Sequence, residues 1–273
     1  MTYTLILKSN ERINKNKTTA NNCEFYFDWS LLDEGNYKVK YSIYKQLFIP
    51  LTFTQLLINK PPWARYNPTS FNATTQIWSD LTPNGRNAVC SGVVLTAQPA
   101  IANGSGAILT GLTGSVTGTI QFPVGSVPPT HTLCFITRYR TALANRKRIL
   151  VTDQGAYFGH NTPTLRGVVN YGNTGLANSV LTEPAINYLN MCVSSSGVVA
   201  PNNILVNGVP NGLTGIPPIN PFSSTLAVNI GTLETSGFEF NQMIIWDTAL
   251  TETELALVSN ALTTYLATGI VGL

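Results

Sequence analysis

The sequence has little charge, since only 11% of its 273 residues are Asp, Glu, Lys or Arg, against roughly 25% in an average soluble protein. Apolar residues make up an ordinary 44%. The polar surface must therefore come from uncharged side chains, and the chain has 34 Thr and 27 Asn. With 22 Gly and 16 Pro, this composition favours strands joined by turns, because Thr suits strands while Asn, Gly and Pro suit turns. It excludes an all-helical fold.

The sequence also lacks the motifs of metal and nucleophilic chemistry. Its four cysteines, the last of them Cys192, are far apart and form no Cys-x-x-Cys pair, which argues against a zinc site and predicts buried thiols. His131 and His160 are the only histidines; the first is predicted at the surface and the second in a loop-like stretch. There is no Gly-x-Ser-x-Gly and no P-loop lysine. We therefore expect no cofactor and no metal.

The formal net charge of +3 is concentrated near the amino terminus, where the first 60 residues hold eight basic and five acidic side chains. This excess is too dilute for the dense basic stripe of a nucleic-acid binder, so no nucleic-acid partner is expected. The apolar run Leu47 to Ile58 is too short to cross a bilayer, so no membrane span is expected. No secretory signal is recognised, which predicts synthesis in a reducing compartment.

Three segments near the amino terminus alternate apolar and polar residues, which predicts strands at Tyr3 to Leu7, Cys23 to Trp29 and Tyr37 to Tyr44. The stretch from Ser9 to Asn22 has no such pattern and is predicted to be a loop. Three strands cannot make a core alone, so their aromatic face needs a partner surface, either the rest of this chain or another protein, and is a candidate docking surface. The candidate docking residues are Tyr3, Leu5, Phe25, Phe27 and Trp29.

Pro61 and Pro62 predict a boundary, because consecutive prolines interrupt strands and helices. We therefore divide the chain into a docking segment, 1–58, and a sandwich domain, 59–273. Asn207-Gly208 is typical of a hairpin turn. In the second part, short apolar runs recur between turn residues, as expected of a β-sandwich. These runs are 107–112, 119–124, 132–140, 148–152, 166–171, 188–193, 204–206, 226–230 and 238–246.

One helix is predicted near the carboxyl terminus, at about 252–267. Thr251 and Glu254 form a capping box, an apolar stripe follows, and Gly269 is placed for a carboxy-terminal cap. The helix should pack on the sandwich or on the amino-terminal strands.

The opening and closing motifs of the second part resemble those of laminin-G-like, concanavalin A-like domains. This resemblance covers about 63–268 and implies an all-β, two-sheet jelly-roll sandwich with one carboxy-terminal helix, preceded by a short β segment. It says little about the ligand. The motifs that carry it are Trp63 to Tyr66, Ser70 to Asn72, Trp78 to Leu81, Asn84 to Ala88, Ser91-Gly92, Gly231 to Glu234 and Gly237 to Leu255.

A second resemblance covers residues 1–45. It is carried by the stretches Tyr3 to Ser9, Glu11-Arg12, Asn21 to Cys23, Phe27 to Trp29 and Glu34 to Val39. These stretches resemble the amino-terminal segment of structural proteins from large double-stranded DNA viruses. This resemblance implies a minor capsid protein, assembled into the virion in the host cytoplasm, with other capsid proteins as partners. The segment is too short for an independent jelly roll.

The carboxylates give no support for a glycosidase, which needs two of them beside the scissile bond. The Glu-x-Asp-x-x-Glu strand of concanavalin-like glucanases is absent. Glu24 and Asp28 lie on a solvent-directed strand face, and Glu234 and Glu239 fall around a turn. Structural or solvated roles are therefore expected, and we predict a protein that is not an enzyme.

Arg138 and Arg140 belong to the densest basic group of the chain, which Arg146, Lys147 and Arg148 complete. On a hairpin they form either a solvated turn or a positive patch for sulfated or sialylated glycans. Candidate glycan-binding residues are Arg138, Tyr139, Arg140, Tyr157 and His160.

Asp80 and Asn87 could offer oxygen ligands to calcium. Calcium takes six to eight oxygen ligands, so these two residues alone do not make a calcium site.

The sequence thus leads to a non-enzymatic viral structural protein carrying a lectin-like sandwich. Two alternatives stay open: a glycan-binding attachment module, and a glycoside hydrolase or lyase. A second copy of the chain is a further candidate partner.

Overall fold

The structure is a computed structural model that describes residues 19–20, 23–24, 51–98, 104–140, 146–162, 165–171, 174–179, 186–195, 203–211, 223–231 and 234–270. The chain divides into two compact units, Met1–Pro50 and Leu51–Leu273. In the second unit a short helix, α1 (Phe53–Asn59), precedes the proline pair at which the sequence analysis places a boundary.

In the first unit, the described residues form one antiparallel pair of strands, β1 (Thr19–Ala20) and β2 (Cys23–Glu24). Thr19 and Ala20, which belong to the segment predicted to be a loop, therefore form a strand that pairs with β2. The predicted strands at 3–7 and 37–44, and the candidate docking residues Tyr3, Leu5, Phe25, Phe27 and Trp29, lie outside the described residues.

The second unit is an antiparallel β structure with a long helix near its carboxyl end, α2 (Glu252–Thr268). Every strand pair described in it is antiparallel. The strands are β3 (Ala64–Tyr66), β4 (Phe71–Asn72), β5 (Ile77–Trp78), β6 (Ala88–Gln98), β7 (Leu109–Gln121), β8 (His131–Tyr139), β9 (Leu150–Thr152), β10 (Tyr157–Thr162), β11 (Leu165–Tyr171), β12 (Thr174–Ser179), β13 (Leu189–Ser195), β14 (Ile204–Val206), β15 (Val209–Pro210), β16 (Leu226–Val228) and β17 (Phe238–Trp246).

The sheet curls into two layers, which the long strand β7 joins. The first half of β7 pairs with β17 and its second half pairs with β16. The front layer has the order β12-β11-β10-β9-β16, and the back layer has the order β17-β8-β13-β14-β15. Leu150 and Phe158 of the front layer share one buried cluster with Phe135, Met191 and other residues of the back layer, so the core lies between the layers.

The other face of the back layer is covered by the two helices. Cys134 and Ile244 of the sheet belong to a second apolar cluster with Leu56 of α1 and Leu262 of α2. This cover explains why β8, β13 and β17 are buried at every position: they have apolar neighbours on both faces.

The predicted fold class is confirmed, including the carboxy-terminal helix. The side chain of Thr251 accepts from the backbone of Glu254 in the expected capping box, and Gly269 has φ 68°. The turn between β14 and β15 holds Asn207 and Gly208 at φ 51° and 82°, as the hairpin motif predicts. No helix among the described residues is long and apolar enough to cross a membrane.

Two features differ from the sequence expectations. The loop-like stretch around His160 is strand β10, which lies between β9 and β11. Gly159 of this strand has φ 84°, and a Cβ there would lie 2.9 Å from the Phe135 ring, so only glycine fits. The helix α1 was not predicted, although Thr52 and Gln55 form a capping box.

Candidate functional site

A cleft of about 620 Å³ opens where the segment between α1 and β3 meets the loop that follows β5. Its volume lies within the ~300–1,000 Å³ of small-molecule sites. We call it the Trp63 cleft. Its lining includes Leu57, Trp63, Arg65, Leu81, Arg86 and Asp247.

The chain that leads into the cleft is fixed at Lys60. The Nζ atom of Lys60 lies 2.8 Å from the carboxylate of Glu254 at the start of α2. The backbone oxygen of Lys60 accepts a hydrogen bond of 2.9 Å from Nε1 of Trp246. The extended Pro-Pro segment that follows therefore starts from a defined point, and Trp63 follows directly after it.

Asp80 braces the opposite wall of the cleft. Its Oδ1 accepts from the backbone nitrogens of Arg65 and Thr82, each at 2.9 Å. Its Oδ2 accepts from Thr82 Oγ1 at 2.7 Å and from the backbone nitrogen of Arg86 at 3.0 Å. Asn87 Oδ1 in turn accepts from the backbone nitrogen of Asp80 at 2.9 Å. These side chains hold the loop in shape, which is a structural use of the two candidate calcium ligands.

No group of three or more His, Cys, Asp or Glu side chains suited to a metal ion is present in the described part of the chain. The oxygens of Asp80 accept four hydrogen bonds from protein donors. A calcium ion would therefore have to displace bonds that hold the loop.

Trp63 supplies the aromatic ring of the cleft, and Arg86 packs against it. The Arg86 guanidinium lies 4.2 Å from the centroid of the indole ring, a cation–π arrangement. Arg86 NH1 also donates to the backbone oxygen of Trp63 at 2.6 Å. Asn84 Nδ2 donates to the same oxygen at 3.0 Å. The Trp63 backbone is thus anchored by two hydrogen bonds, and its partly buried indole packs against Arg86.

Arg65 supplies a second cation to the cleft. It lies on β3, opposite Ile244 of β17. Its Nε is buried and has no hydrogen-bond partner, and burial lowers the pKa of its guanidinium from the ordinary value. Asp247, the carboxylate that lines the same cleft, is exposed. In the described structure neither Arg65 nor Arg86 forms an ion pair with a carboxylate. The cleft therefore presents two guanidinium groups and one carboxylate.

The basic residues singled out in the sequence lie outside the Trp63 cleft. Arg140 and Lys147 are exposed and Arg146 and Arg148 are partly buried, whereas Arg138 is buried. Arg138 is only 6% exposed and lies on the helix-covered face of the back layer. Its NH2 group is 2.7 Å from Oε2 of Glu239, which is fully buried. Arg140 NH1 lies 3.6 Å from the same carboxylate oxygen. Gln98 Oε1 accepts from both arginines, at 2.7 Å and 2.6 Å.

This network has further members on the same carboxylate. Tyr188 donates through its hydroxyl to Glu239 Oε1, and Asn241 Nδ2 lies 3.5 Å from that oxygen. The Tyr265 hydroxyl of α2 donates to Asn241 Oδ1 at 2.9 Å. Glu239 therefore has a structural role, as predicted, but it is buried in a strand and does not lie at a turn. The predicted positive patch is wrong for Arg138, since its charge is neutralised inside the protein.

The predicted aromatic and histidine site residues are also buried. Tyr139 is 1% exposed and points into the core, where its hydroxyl donates to the backbone oxygen of Lys147 at 2.5 Å. Tyr157 lies on the outer face of the front layer, with the Arg148 guanidinium 4.2 Å from its ring centroid. His160 is fully buried, and its ring packs edge-on against Tyr139 at 4.6 Å.

The surface position predicted for His131 is wrong. His131 is fully buried between the layers. Its Nδ1 lies 2.7 Å from the backbone oxygen of Pro128 and its Nε2 lies 2.9 Å from the Tyr171 hydroxyl. Burial lowers the pKa of His131 to about 4, outweighing its backbone hydrogen bonds, so the ring is neutral at pH 7.

Trp63, Arg65 and Arg86 are not among the site residues predicted from the sequence, although all three belong to motifs that carry the family resemblance. A signal was present. A tryptophan directly after two prolines, with an arginine two residues later, places an aromatic ring and a cation in a stiff segment at a boundary. The contributions of Arg86 and Asp247 depend on contacts between distant parts of the chain.

No protein-family model matches the sequence, and no curated protein is significantly similar to it. Among solved structures, the binding domain of Paraclostridial Mosquitocidal Protein 1 has a TM-score of 0.50 and 15% identity, over 73% of this chain and 52% of that one. A Trypanosoma rangeli sialidase, in complex with 2,3-difluorosialic acid, has a TM-score of 0.50 and 13% identity, over 72% of this chain. The present chain spans only about a third, 32%, of the sialidase.

A third solved structure is domain 4 of AbnA, a GH43 extracellular arabinanase from Geobacillus stearothermophilus, in complex with arabinotriose. Its match with this chain covers 72% of this chain and 97% of that domain, with a TM-score of 0.49 and 12% identity. At such low identities a structural likeness concerns the fold alone. The two likenesses with a TM-score of 0.50 agree with the two-layer antiparallel β-sandwich of this chain. The similarity of residues 1–45 to viral structural proteins stays a prediction.

Proposed function

We propose that the chain is a carbohydrate-binding module without catalytic activity and that the Trp63 cleft binds acidic glycans. The observation that carries this proposal is the rigid combination of a partly buried indole with two guanidinium groups that have no carboxylate partner among the described residues. The proposal corresponds to the glycan-binding alternative of the sequence analysis, with a different set of residues.

The aromatic part of the cleft suits a sugar ring. A sugar presents C–H groups on its faces and hydroxyl groups at its edge. An indole offers a large apolar surface, and because it has only two rotatable side-chain bonds, little conformational entropy is lost on binding. The hydrogen bonds to the backbone oxygen of Trp63 reduce that loss further, since they fix the segment before a ligand arrives.

The charges favour an acidic sugar over a neutral one. A guanidinium matches a carboxylate or a sulfate with two parallel hydrogen bonds. The unpartnered Nε of Arg65 is a donor that such a group could satisfy. Among the lining residues, Asp247 offsets one of the two guanidinium charges and leaves an excess of one. The Asp80 carboxylate in the wall reduces the positive potential further.

A binding role is favoured over hydrolysis because Asp247 is the sole carboxylate among the described residues that line the cleft. Glycosidases of the usual mechanism need two, placed about 5 to 9.5 Å apart. Glu239, the buried carboxylate, is held by two arginines and Tyr188 behind the sheet. The binding domain of Paraclostridial Mosquitocidal Protein 1 is a neighbour described as a binding domain, which agrees with a binding role.

A glycan array tests the proposal, with wild-type protein compared with Trp63→Ala. We expect the wild type to select sialylated, uronic or sulfated glycans and Trp63→Ala to lose about tenfold or more in affinity for them. Val124→Ala is the matched control, because Val124 is 89% exposed and lies outside the cleft. Equal binding by Trp63→Ala and the wild type, or an array without signal, contradicts the proposal.

A further inference from the structure

A second cleft, of about 390 Å³, lies beside the carboxy-terminal half of α2. It lies between α2, the segment before β7 and the start of β13, and we call it the Asn190 cleft. Its lining includes Gly104, Asn187, Asn190, Asn207, Leu266 and Ala267.

Asn190 is the central residue of this cleft. It is fully buried, and its Nδ2 donates to the backbone oxygen of Ser259 and to Thr263 Oγ1, each at 2.9 Å. A backbone oxygen can only accept, so the amide nitrogen must face α2. The orientation of the amide is therefore settled by its partners, and the Oδ1 atom points the other way.

The Oδ1 atom of Asn190 is buried and has no hydrogen-bond partner. A buried acceptor without a partner costs about 1–3 kcal/mol. The neighbouring hydrogen bonds do not supply one: Asn207 Oδ1 accepts from the backbone nitrogen of Asn190 at 3.0 Å, and the Asn190 backbone oxygen accepts from Asn207 at 2.8 Å. A donor from outside the chain would complete the site.

The lining of the Asn190 cleft has no Asp, Glu, Lys, Arg or His among the described residues. This distinguishes it from the Trp63 cleft, and it disfavours a charged ligand, whose desolvation would not be offset. Three asparagine side chains provide polar groups, while Leu266 and Ala267 provide apolar surface. Such a mixed, uncharged lining matches a ring that carries hydroxyl groups and C–H faces.

The walls of this cleft are held by close backbone contacts. A Cβ on Gly106 would lie 2.5 Å from the backbone oxygen of Ala267, and a Cβ on Gly104 would lie 2.8 Å from Cγ of Asn187. The backbone nitrogen of Gly106 also donates to the backbone oxygen of Leu266 at 2.9 Å. The segment before β7 is thus attached to α2, so the cleft is preformed.

We infer that the Asn190 cleft is a second binding site, for a neutral sugar, in which a ligand hydroxyl donates to Asn190 Oδ1. The site goes beyond the function proposed above, because it uses different residues and selects an uncharged ligand. The two clefts lie toward opposite ends of α2, since Glu254 contacts Lys60 near the Trp63 cleft and Ala267 lines the Asn190 cleft.

Neutral probes test the inference on the full chain. Lactose and N,N′-diacetylchitobiose are titrated, with binding followed by saturation-transfer NMR, by calorimetry and by the side-chain amide resonance of Asn190. Ala267→Trp fills the cleft from an exposed position on α2, and Thr264→Trp, on an exposed position outside the cleft, is its matched control. We expect one of the probes to bind, to shift the Asn190 resonance, and to lose about tenfold or more in affinity in Ala267→Trp only.

Trp63→Ala separates this inference from the proposed function. Retention of neutral-sugar binding in Trp63→Ala supports the inference. Loss of that binding in Trp63→Ala overturns the inference and leaves the Trp63 cleft as the sugar site. Survival of that binding in Ala267→Trp also overturns the inference. Absence of binding by both neutral probes at millimolar concentration also overturns it, whereas acidic glycans report on the proposed function independently.

Discussion

Arg138 and Glu239 are direct partners across β8 and β17, and their side chains form an ion pair of 2.7 Å that is almost completely buried. The pair lies under the carboxy-terminal end of α2, where Arg140, Gln98 and Tyr188 supply further contacts to one or both partners. The pair joins two central strands of the back layer, and Asn241 links Glu239 to Tyr265 of α2.

Replacing Glu239 by Gln should destabilise the protein by about 3–5 kcal/mol, because Arg138 would be left buried without a compensating charge. Urea unfolding followed by tryptophan fluorescence measures the loss. Glu254→Gln is the control: its pair with Lys60 is partly exposed and is worth about 1 kcal/mol or less. Losses of equal size in the two variants would contradict this prediction, because the buried pair would then contribute no more to the free energy of unfolding than the partly exposed pair.

Gly111→Ala should also destabilise the fold, because a Cβ at this position of β7 would lie 2.5 Å from Oε1 of Glu239. Combining it with Glu239→Ala removes the clashing carboxylate. The additional loss caused by Gly111→Ala should therefore be smaller in the Glu239→Ala background than in the wild type. Additive losses would contradict this explanation.

Stability should fall in mild acid because of the buried histidines. Burial lowers the pKa of His131 to about 4 and that of His160 well below its ordinary value, the latter helped by the positive charge of Arg166. The unfolded chain takes up these protons near pH ~6.5, so the stabilisation is complete above that pH and is lost as the pH falls toward 4. For His131 alone the difference is about 3 kcal/mol.

Urea unfolding of the wild type and of His131→Gln between about pH 7 and pH 4.5 measures this dependence. The decrease in unfolding free energy should be smaller in His131→Gln than in the wild type. Identical decreases in the two proteins would show that His131 does not carry the dependence.

Three cysteines should be unreactive in the folded protein. Cys90, Cys134 and Cys192 are buried and free. Burial raises the pKa of Cys90 to about 12 and that of Cys134 well above its ordinary value, so almost no thiolate forms near neutral pH. Labelling with N-ethylmaleimide, followed by peptide mass spectrometry, should mark these residues in urea but not in buffer. Rapid labelling of Cys134 without urea would contradict the packing of α2 on the sheet.

Much of the fold could be predicted because its signals are local. The apolar runs at 132–140 and 238–246 correspond to β8 and β17 within two residues, and the capping box at Thr251 marks the start of α2. Apolar patterns and caps depend on neighbouring residues, so they can be read along the chain. The interruption of the pattern by Gly159 hid strand β10.

The buried network could not be predicted, because its partners are distant in sequence. Arg138 and Glu239 are separated by 101 positions, and a charged residue in a strand is ordinarily exposed. The Trp63 cleft combines residues from Leu57 to Asp247 for the same reason. The docking role of Tyr3 and its neighbours, the assembly into a virion and the capsid partners stay predictions, since the residues that carry them lie outside the described part of the chain.

The most direct test of the proposed function is calorimetric titration of sialyllactose and of lactose, at low and at high salt, into wild-type protein and Arg65→Gln, with every protein carrying Ala267→Trp so that the Asn190 cleft is filled. Lys147→Gln, which removes an exposed charge outside the cleft, is the control. We predict that the wild type and Lys147→Gln bind sialyllactose more tightly than lactose, that salt weakens this preference, and that Arg65→Gln abolishes it. Equal affinities for the two sugars in the wild type, or an unchanged preference in Arg65→Gln, would contradict the assignment of the Trp63 cleft to acidic glycans.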